Sequence, residues 1–345
     1  MNHSADETRA SLANNLRYFI KWSLIALLIG GTGGLIGSLF SMGVSFATSF
    51  RMNHPNMLFF LPVSGILIVW LYHTFHEEGN RGTNMVIDAI SSTEKVTLAT
   101  GPLIFVSTVL THIAGGSSGR EGAALQLGGS LGNLFGNAIH LDEKDKKIAI
   151  MCGMSAVFSA LFGTPVAAAI FPLEVISIGV LYYAALVPCI FSSFIGVGIA
   201  RYLGIAGEHF TVLSIPAISV SSVGWIIFLS ALCAGVSIVF CLMLHGAEHT
   251  YRKIFPNPYV RILAASAIFI LLTLLIGTRD YCGSSMPLIE RSMEGEIGYE
   301  AFFLKMLFTA IALGAGFKGG EIVPTLCVGA AFGCAFGQIT GFAPS

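Results

Sequence analysis

The sequence predicts an all-α polytopic membrane protein built from two structural repeats, and three observations predict it. Of its 345 residues, 54% are hydrophobic and 11% charged, against about 25% charged in soluble domains; the mean hydropathy is +0.78. Apolar runs of spanning length alternate with short breaks rich in glycine, proline or charge. A glycine-rich stretch with ions at a helix start occurs twice, once in each half. A net charge of −1 gives no basic field for a nucleic-acid partner. The seven cysteines stand singly in apolar stretches with no C-x-x-C pair, so they read as small buried hydrophobes. Nothing in the pattern calls for a metal or another cofactor.

Residues 1–18 form a polar leading segment. Arg9, Arg17 and Lys21 stand before or at the start of the first apolar run and only Arg51 follows it closely, which puts the N-terminus on the cytoplasmic side of the cell membrane. Phe19 to Phe50 is longer than the roughly 20 residues a span needs and should tilt. Its Gly30, Gly33, Gly34 and Gly37 fit close helix packing, not a nucleotide loop, because no strand precedes them. Met57 to Phe75 is a second span, and Thr83 to Ile90 is too short to cross. Thr100 to Ala114 reads as a third span leading into Gly115-Gly116-Ser117-Ser118-Gly119-Arg120-Glu121-Gly122 and a glycine-studded helix. Ile148 to Phe162, Pro165 to Ile178 and Val180 to Tyr202 follow, broken at Gly163-Thr164-Pro165 and Ile178-Gly179. Glu174, the one carboxylate of that block, reads as a structural ion or hydrogen-bond partner.

Gly204 to Pro216 divides the chain, giving a first transmembrane repeat over 19–205 and a second over 206–345. Val223 to Leu244, Tyr259 to Ile276 and Ala301 to Leu313 are apolar spans of the second, and Gly316-Phe317-Lys318-Gly319-Gly320-Glu321 follows the last. Two hundred residues separate Gly116, Gly119, Glu121 and Gly129 from Gly316, Gly319, Glu321 and Gly329, while Gly82-Thr83-Asn84-Met85 matches Gly283-Ser284-Ser285-Met286 one residue further on. On this register Lys318 and Glu321 mirror Arg120 and Glu121. Ser345 falls on Asp145, so the second repeat is expected to lack its last helices.

An ionisable side chain at membrane depth is costly and normally faces a cavity or a transport pathway. The first N–H groups of a helix have no partner within it and carry partial positive charge, so they attract an anion. Glu121 can be that anion or compete with one. Two negative charges about 4 Å apart repel by about 4 kcal/mol at an effective dielectric near 20, enough to gate a site. Repeats that each contribute an interrupted helix are how transporter sites are built.

These residues resemble the CLC family of chloride channels and proton-coupled chloride or fluoride antiporters. Gly119-Arg120-Glu121-Gly122 is similar to the family's G-R-E-G-P motif, with Ala123 in place of proline; Gly82-Thr83-Asn84-Met85-Val86 stands where G-S-G-I-P is usual, and Gly319 to Pro324 where G-x-F-x-P is. The resemblance implies two inverted repeats whose short helices meet near the membrane centre. It implies Glu121 as the gating, proton-transferring residue, with anion binding by Thr83 and Ile322 and around them Gly82, Gly119, Arg120, Gly122 and Glu321. It implies halide ions and protons as the partners, and a homodimer with one pore per subunit. Arg120 reads as structural, paired with a carboxylate or a helix C-terminus. Glu321, where an apolar residue is usual, is similar to the fluoride/proton branch, although that branch carries methionine where Thr83 stands. Val175 replaces the internal glutamate of many antiporters, which channels and the fluoride branch also lack.

Chloride transport by channel or antiport and fluoride/proton antiport both fit. An enzymatic alternative is a membrane zinc peptidase using His245, Glu248 and His249, an H-x-x-E-H pattern that puts both histidines on one helix face. That stretch sits at the end of a span, where polar residues meet headgroups, and no distal third ligand stands out. His112 reads as a helix-packing histidine.

Overall fold

The computed structural model describes residues 2–80, 82–91, 96–175, 182–207, 210 and 219–342, with backbone alone for 2–11 and 91. Thirteen α-helices make up these residues: α1 (Asn2–Asn53), α2 (Leu61–Thr74), α3 (Thr83–Ser91), α4 (Thr100–Ile113), α5 (Glu121–Ala138), α6 (Glu143–Phe162), α7 (Pro165–Val175), α8 (Leu186–Tyr202), α9 (Val220–Ile254), α10 (Pro258–Ile276), α11 (Met286–Glu294), α12 (Ala301–Ala315) and α13 (Ile322–Thr340). Extended pairing among the described residues is limited to an isolated antiparallel bridge between Gly119 and Gly320. The expected breaks at Ile178-Gly179 and through most of Gly204 to Pro216 lie outside the described residues.

Helix ends follow local chemistry. Asp142 caps α6 by accepting from Asp145 N at 2.8 Å, Ser219 caps α9, and Asn257 caps α10 ahead of Pro258. Gly163 ends α6 with a φ of +73°, and Pro165 opens α7 after it, as the sequence predicts. The polar leading segment is itself helical, because α1 runs on from Asn2.

Six helical segments among the described residues are long and apolar enough to cross a membrane: Leu12–Asn53, Pro55–Thr74, Tyr183–Tyr202, Val220–Ile254, Pro258–Ile276 and Ile322–Thr340. The spans expected at Thr100 to Ala114 and Ala301 to Leu313 are shorter helices of 14 and 15 residues. At 1.5 Å per residue they reach about 21–23 Å, less than a hydrocarbon core of about 30 Å. Both, α4 and α12, deliver the chain to a glycine loop.

The chain folds as two compact units. The first comprises residues 1–42, 81–102 and 124–208, and the second residues 43–80, 103–123 and 209–345. In the first, α6 packs most extensively on α8, and α1 lies against both through its small face. A Cβ on Gly33 would meet Ala156 Cβ at 2.8 Å, and one on Gly34 would meet Gly196 Cα at 2.9 Å. The predicted packing role of those glycines holds. The glycines of α5 serve the same end, since a Cβ on Gly132 would meet Ile150 Cα at 2.6 Å and overlap the Ala149 carbonyl. Gly132→Ala is therefore expected to destabilise the protein by about 1–3 kcal/mol. Thermal unfolding in detergent checks this against Gly198→Ala, where a Cβ has nothing within 4 Å.

In the second unit α12 packs on α9, α10 and α13, and α10 on α2. Lys305 of α12 is fully buried and donates to Ser117 Oγ at 2.9 Å, Tyr281 O at 3.2 Å and Gly283 O at 3.4 Å. Three acceptors match the three ammonium donors. One side chain thus ties the loop before α5 to the loop before α11. Five of the seven cysteines are buried as expected; Cys233 is half-buried and Cys241 exposed, because α9 turns little of its surface inward.

Candidate functional site

The site is assembled in the second unit from two loops and the helix starts that follow them. Gly119 and Gly320 exchange both backbone hydrogen bonds, N to O distances 2.6 and 2.8 Å, which lays the two loops side by side. Only residues without side chains fit there. A Cβ on Gly320 would come within 2.5 Å of Gly122 N, and one on Gly119 within 3.0 Å of Gly320 O and of Pro324 Cδ. The backbone of Gly319, at a φ of +156°, is another that only glycine adopts readily.

Glu121 opens α5 and is 2% exposed. Its side chain turns back toward the paired loops, and Oε2 accepts from Arg120 N at 2.9 Å and from Val323 N at 3.3 Å. Val323 is the second residue of α13, so the carboxylate occupies the N-terminus of a helix other than its own. Its unpartnered N–H groups and partial positive charge are what an anion requires. Arg120 Nε lies 3.9 Å from Glu121 Oε1, a loose ion pair that agrees with a structural role for the arginine.

Of the residues expected at the site, Gly119, Arg120, Glu121 and Gly122 are brought together with Gly320 and Val323. Ile322 begins α13, but the N–H that reaches Glu121 is that of Val323, one residue on. Backbone donors leave no side-chain signature, and only the offset between the two motifs points to them. Gly82 and Thr83 belong to the first unit, where Gly82 has a φ of +68° and Thr83 is the first residue of α3.

The mirrored arrangement expected for Lys318 and Glu321 does not form. Glu321 is exposed at the N-cap of α13 with no side-chain capping bond, and Lys318 lies over the Tyr72 ring at 4.2 Å. Two glycines separate this lysine from its glutamate, whereas Arg120 and Glu121 are adjacent. Glu174, expected as a structural ion or hydrogen-bond partner, is exposed at the end of α7 and makes no hydrogen bond to the described residues. His112 is fully buried in α4 with Nδ1 2.8 Å from Thr108 O. In the H-x-x-E-H stretch, Glu248, the candidate base, pairs with Arg252 at 2.8 Å and His245 Nδ1, on one of the two candidate ligands, lies 2.8 Å from Cys241 O within α9. Among the described residues no group of three or more His, Cys, Asp or Glu is placed to hold a metal ion.

Several known proteins are similar to this chain. A chloride/fluoride channel protein of Pseudomonas syringae pv. tomato is 29% identical over 94% of this chain and 73% of its own length. An H(+)/Cl(-) exchange transporter ClcA of Vibrio cholerae is 24% identical over 91% of this chain and 72% of its own. Among solved structures, a CLC-type fluoride/proton antiporter superposes with a TM-score of 0.89 at 30% identity, covering 94% of this chain and 83% of that one. A slow cyanobacterial Cl-/H+ antiporter shares the fold, with a TM-score of 0.75 at 19% identity over 92% of this chain and 79% of that one. The voltage gated chloride channel family profile matches residues 64–345. With that match spanning most of a chain whose paired glycine loops hold a buried glutamate at a helix start, the protein belongs to the CLC family of voltage gated chloride channels.

Proposed function

We propose that the protein exchanges a halide ion for protons across the cell membrane, with Glu121 as the group that both carries the proton and yields the anion's position. The observation that supports this reading is the Glu121 carboxylate at the start of α13, accepting the Val323 N–H. As a carboxylate it fills the position. Once protonated it loses the charge that holds it there, and a halide takes the same N–H groups. Gly119, Arg120 and Gly122 shape this position. Glu321 and Ile322 at the start of α13 line the path beside it, and Gly82 and Thr83 at the start of α3 are further anion-binding residues in this reading.

Division into repeats over 19–205 and 206–345 is supported by the recurrence of helix lengths: α4 and α5 have 14 and 18 residues, and α12 and α13 have 15 and 19. The N-terminus lies in the cytoplasm and the working unit is a homodimer with one pore per subunit.

Fluoride is the halide favoured over chloride. The fluoride/proton antiporter structure is 30% identical to this chain, against 19% for the chloride/proton antiporter, and the glutamate at 321 is a further feature in its favour. Proteoliposomes loaded with fluoride or chloride, with halide efflux and external pH recorded together, test both points. Fluoride efflux accompanied by proton uptake is the expected result. Chloride efflux with proton movement would reassign the halide, and halide efflux with no proton movement would make the protein a channel.

A further inference from the structure

We infer that Arg51 and Arg279 form a second small-anion site, separate from the position Glu121 occupies, which gathers halide at the side of the molecule where α1 ends. The inference rests on the halide-exchange reading above and adds a residue pair to it. Arg51 lies in the last turn of α1, and Arg279 in the short connection between α10 and α11. Both belong to the second unit. Between them is a cavity of about 20 Å³ lined by Arg51, Pro55, Leu58, Gly115, Arg279 and Cys282. Two arginines therefore line a cavity whose lining includes no carboxylate.

The guanidinium of Arg51 is set in place by backbone. A Cβ on Gly283 would come within 2.8 Å of Arg51 Nη2, and one on Gly115 within 3.3 Å of Arg51 Cδ. Those two glycines have φ of +69° and +87°, and Gly283 N donates to Gly115 O at 2.9 Å, so the cradle is fixed on both sides. The Nε of Arg51 is buried with no hydrogen-bond partner among the described residues. A buried charged donor left unpaired is expensive, and an anion in the cavity would satisfy it. The nearest acid in sequence, Asp280, is taken by Arg291 at 2.7 Å. Lys305 of α12, bound to Gly283 O, brings a third positive charge to the same loop.

A cavity needs roughly 10–15 Å³ of such space to hold one water-sized guest, so this one has room for a small anion. A halide has the charge the arginines call for and the size the cavity allows. Gly115 also begins the loop that ends in Glu121, so halide gathered here is gathered at the start of the segment that carries the gate.

The test is halide uptake into proteoliposomes as a function of halide concentration at constant ionic strength, for the parent, Arg51→Met and Arg279→Gln. Each variant is expected to raise the concentration for half-maximal rate roughly tenfold, as removal of one nearby cation would, with the maximal rate and the proton-to-halide ratio kept. Arg51→Lys, which keeps the charge, should retain most of the parent's affinity and stands in if Arg51→Met fails to fold. A second readout does not depend on transport: phenylglyoxal labelling of Arg279, read by mass spectrometry, should be slowed by fluoride or chloride and not by sulfate. If the parent transports and both variants keep its half-maximal concentration, the site is refuted while halide exchange stands. If the parent moves no halide, exchange is refuted and labelling alone decides the site. Equal protection by sulfate would reduce the effect to ionic screening and also overturn it.

Discussion

Glu121→Gln is expected to abolish proton movement while halide flux persists. Glutamine keeps the shape of the side chain and can neither carry a titratable proton nor present a negative charge. The repulsion it removes, about 4 kcal/mol for two charges roughly 4 Å apart at an effective dielectric near 20, corresponds to about a thousandfold in occupancy of the position by an anion. Halide passage is therefore uncoupled and not blocked. Simultaneous recording of halide and pH in proteoliposomes separates the two. Proton exchange at the parent's ratio in this variant would remove Glu121 from the coupling step.

Gly320→Ala is expected to reduce halide transport roughly ten- to hundredfold, the equivalent of about 1–3 kcal/mol of overpacking. A Cβ at this position meets Gly122 N at 2.5 Å and Gly122 Cα at 3.1 Å, both backbone atoms that cannot rotate away. The two loops must then separate, and the bonds of 2.6 and 2.8 Å between Gly119 and Gly320 lengthen or break. Val323 N–H moves away from Glu121 with them. Gly329→Ala is the control, since a Cβ there has nothing within 4 Å although the residue lies on α13, the helix that follows Gly320. Equal transport by Gly320→Ala and Gly329→Ala, at equal amounts of folded protein, would show that the loop pairing does not hold the site.

How much of this could be read from the sequence differs between residues for physical reasons. The start of α5 at Glu121 was legible because a small-residue loop followed by a charge and then an apolar run is a helix start. The packing role of Gly30, Gly33, Gly34 and Gly37 was legible from their spacing alone. The lengths of α4 and α12 were not. A run of apolar residues has the same hydropathy whether it crosses the bilayer or stops inside it, and the stop is set by Gly115 and Gly316 at φ of +87° and +113°.

Glu121 and Glu321 show the same limit at the level of side chains. They occupy matching positions in the two motifs, yet one is buried against the opposite loop and the other is exposed. The difference comes from the chain around them: Arg120 abuts Glu121, and two glycines stand between Lys318 and Glu321. Lys305 carries no sequence signal within an apolar helix, because its acceptors are Ser117 Oγ and two carbonyls of a loop more than twenty residues away. The Val323 N–H was invisible for a similar reason, being a backbone group whose importance is set by what the fold brings to it.

The central claim is that the Glu121 carboxylate and the transported halide compete for one position at the start of α13. Calorimetric titration of the transported halide into purified parent and Glu121→Gln protein at neutral pH tests it most directly. Competition predicts that the variant binds halide at least tenfold more tightly than the parent, and that lowering the pH brings the parent toward the variant. Identical isotherms for the two proteins across that pH range would mean that the carboxylate and the halide do not share a seat.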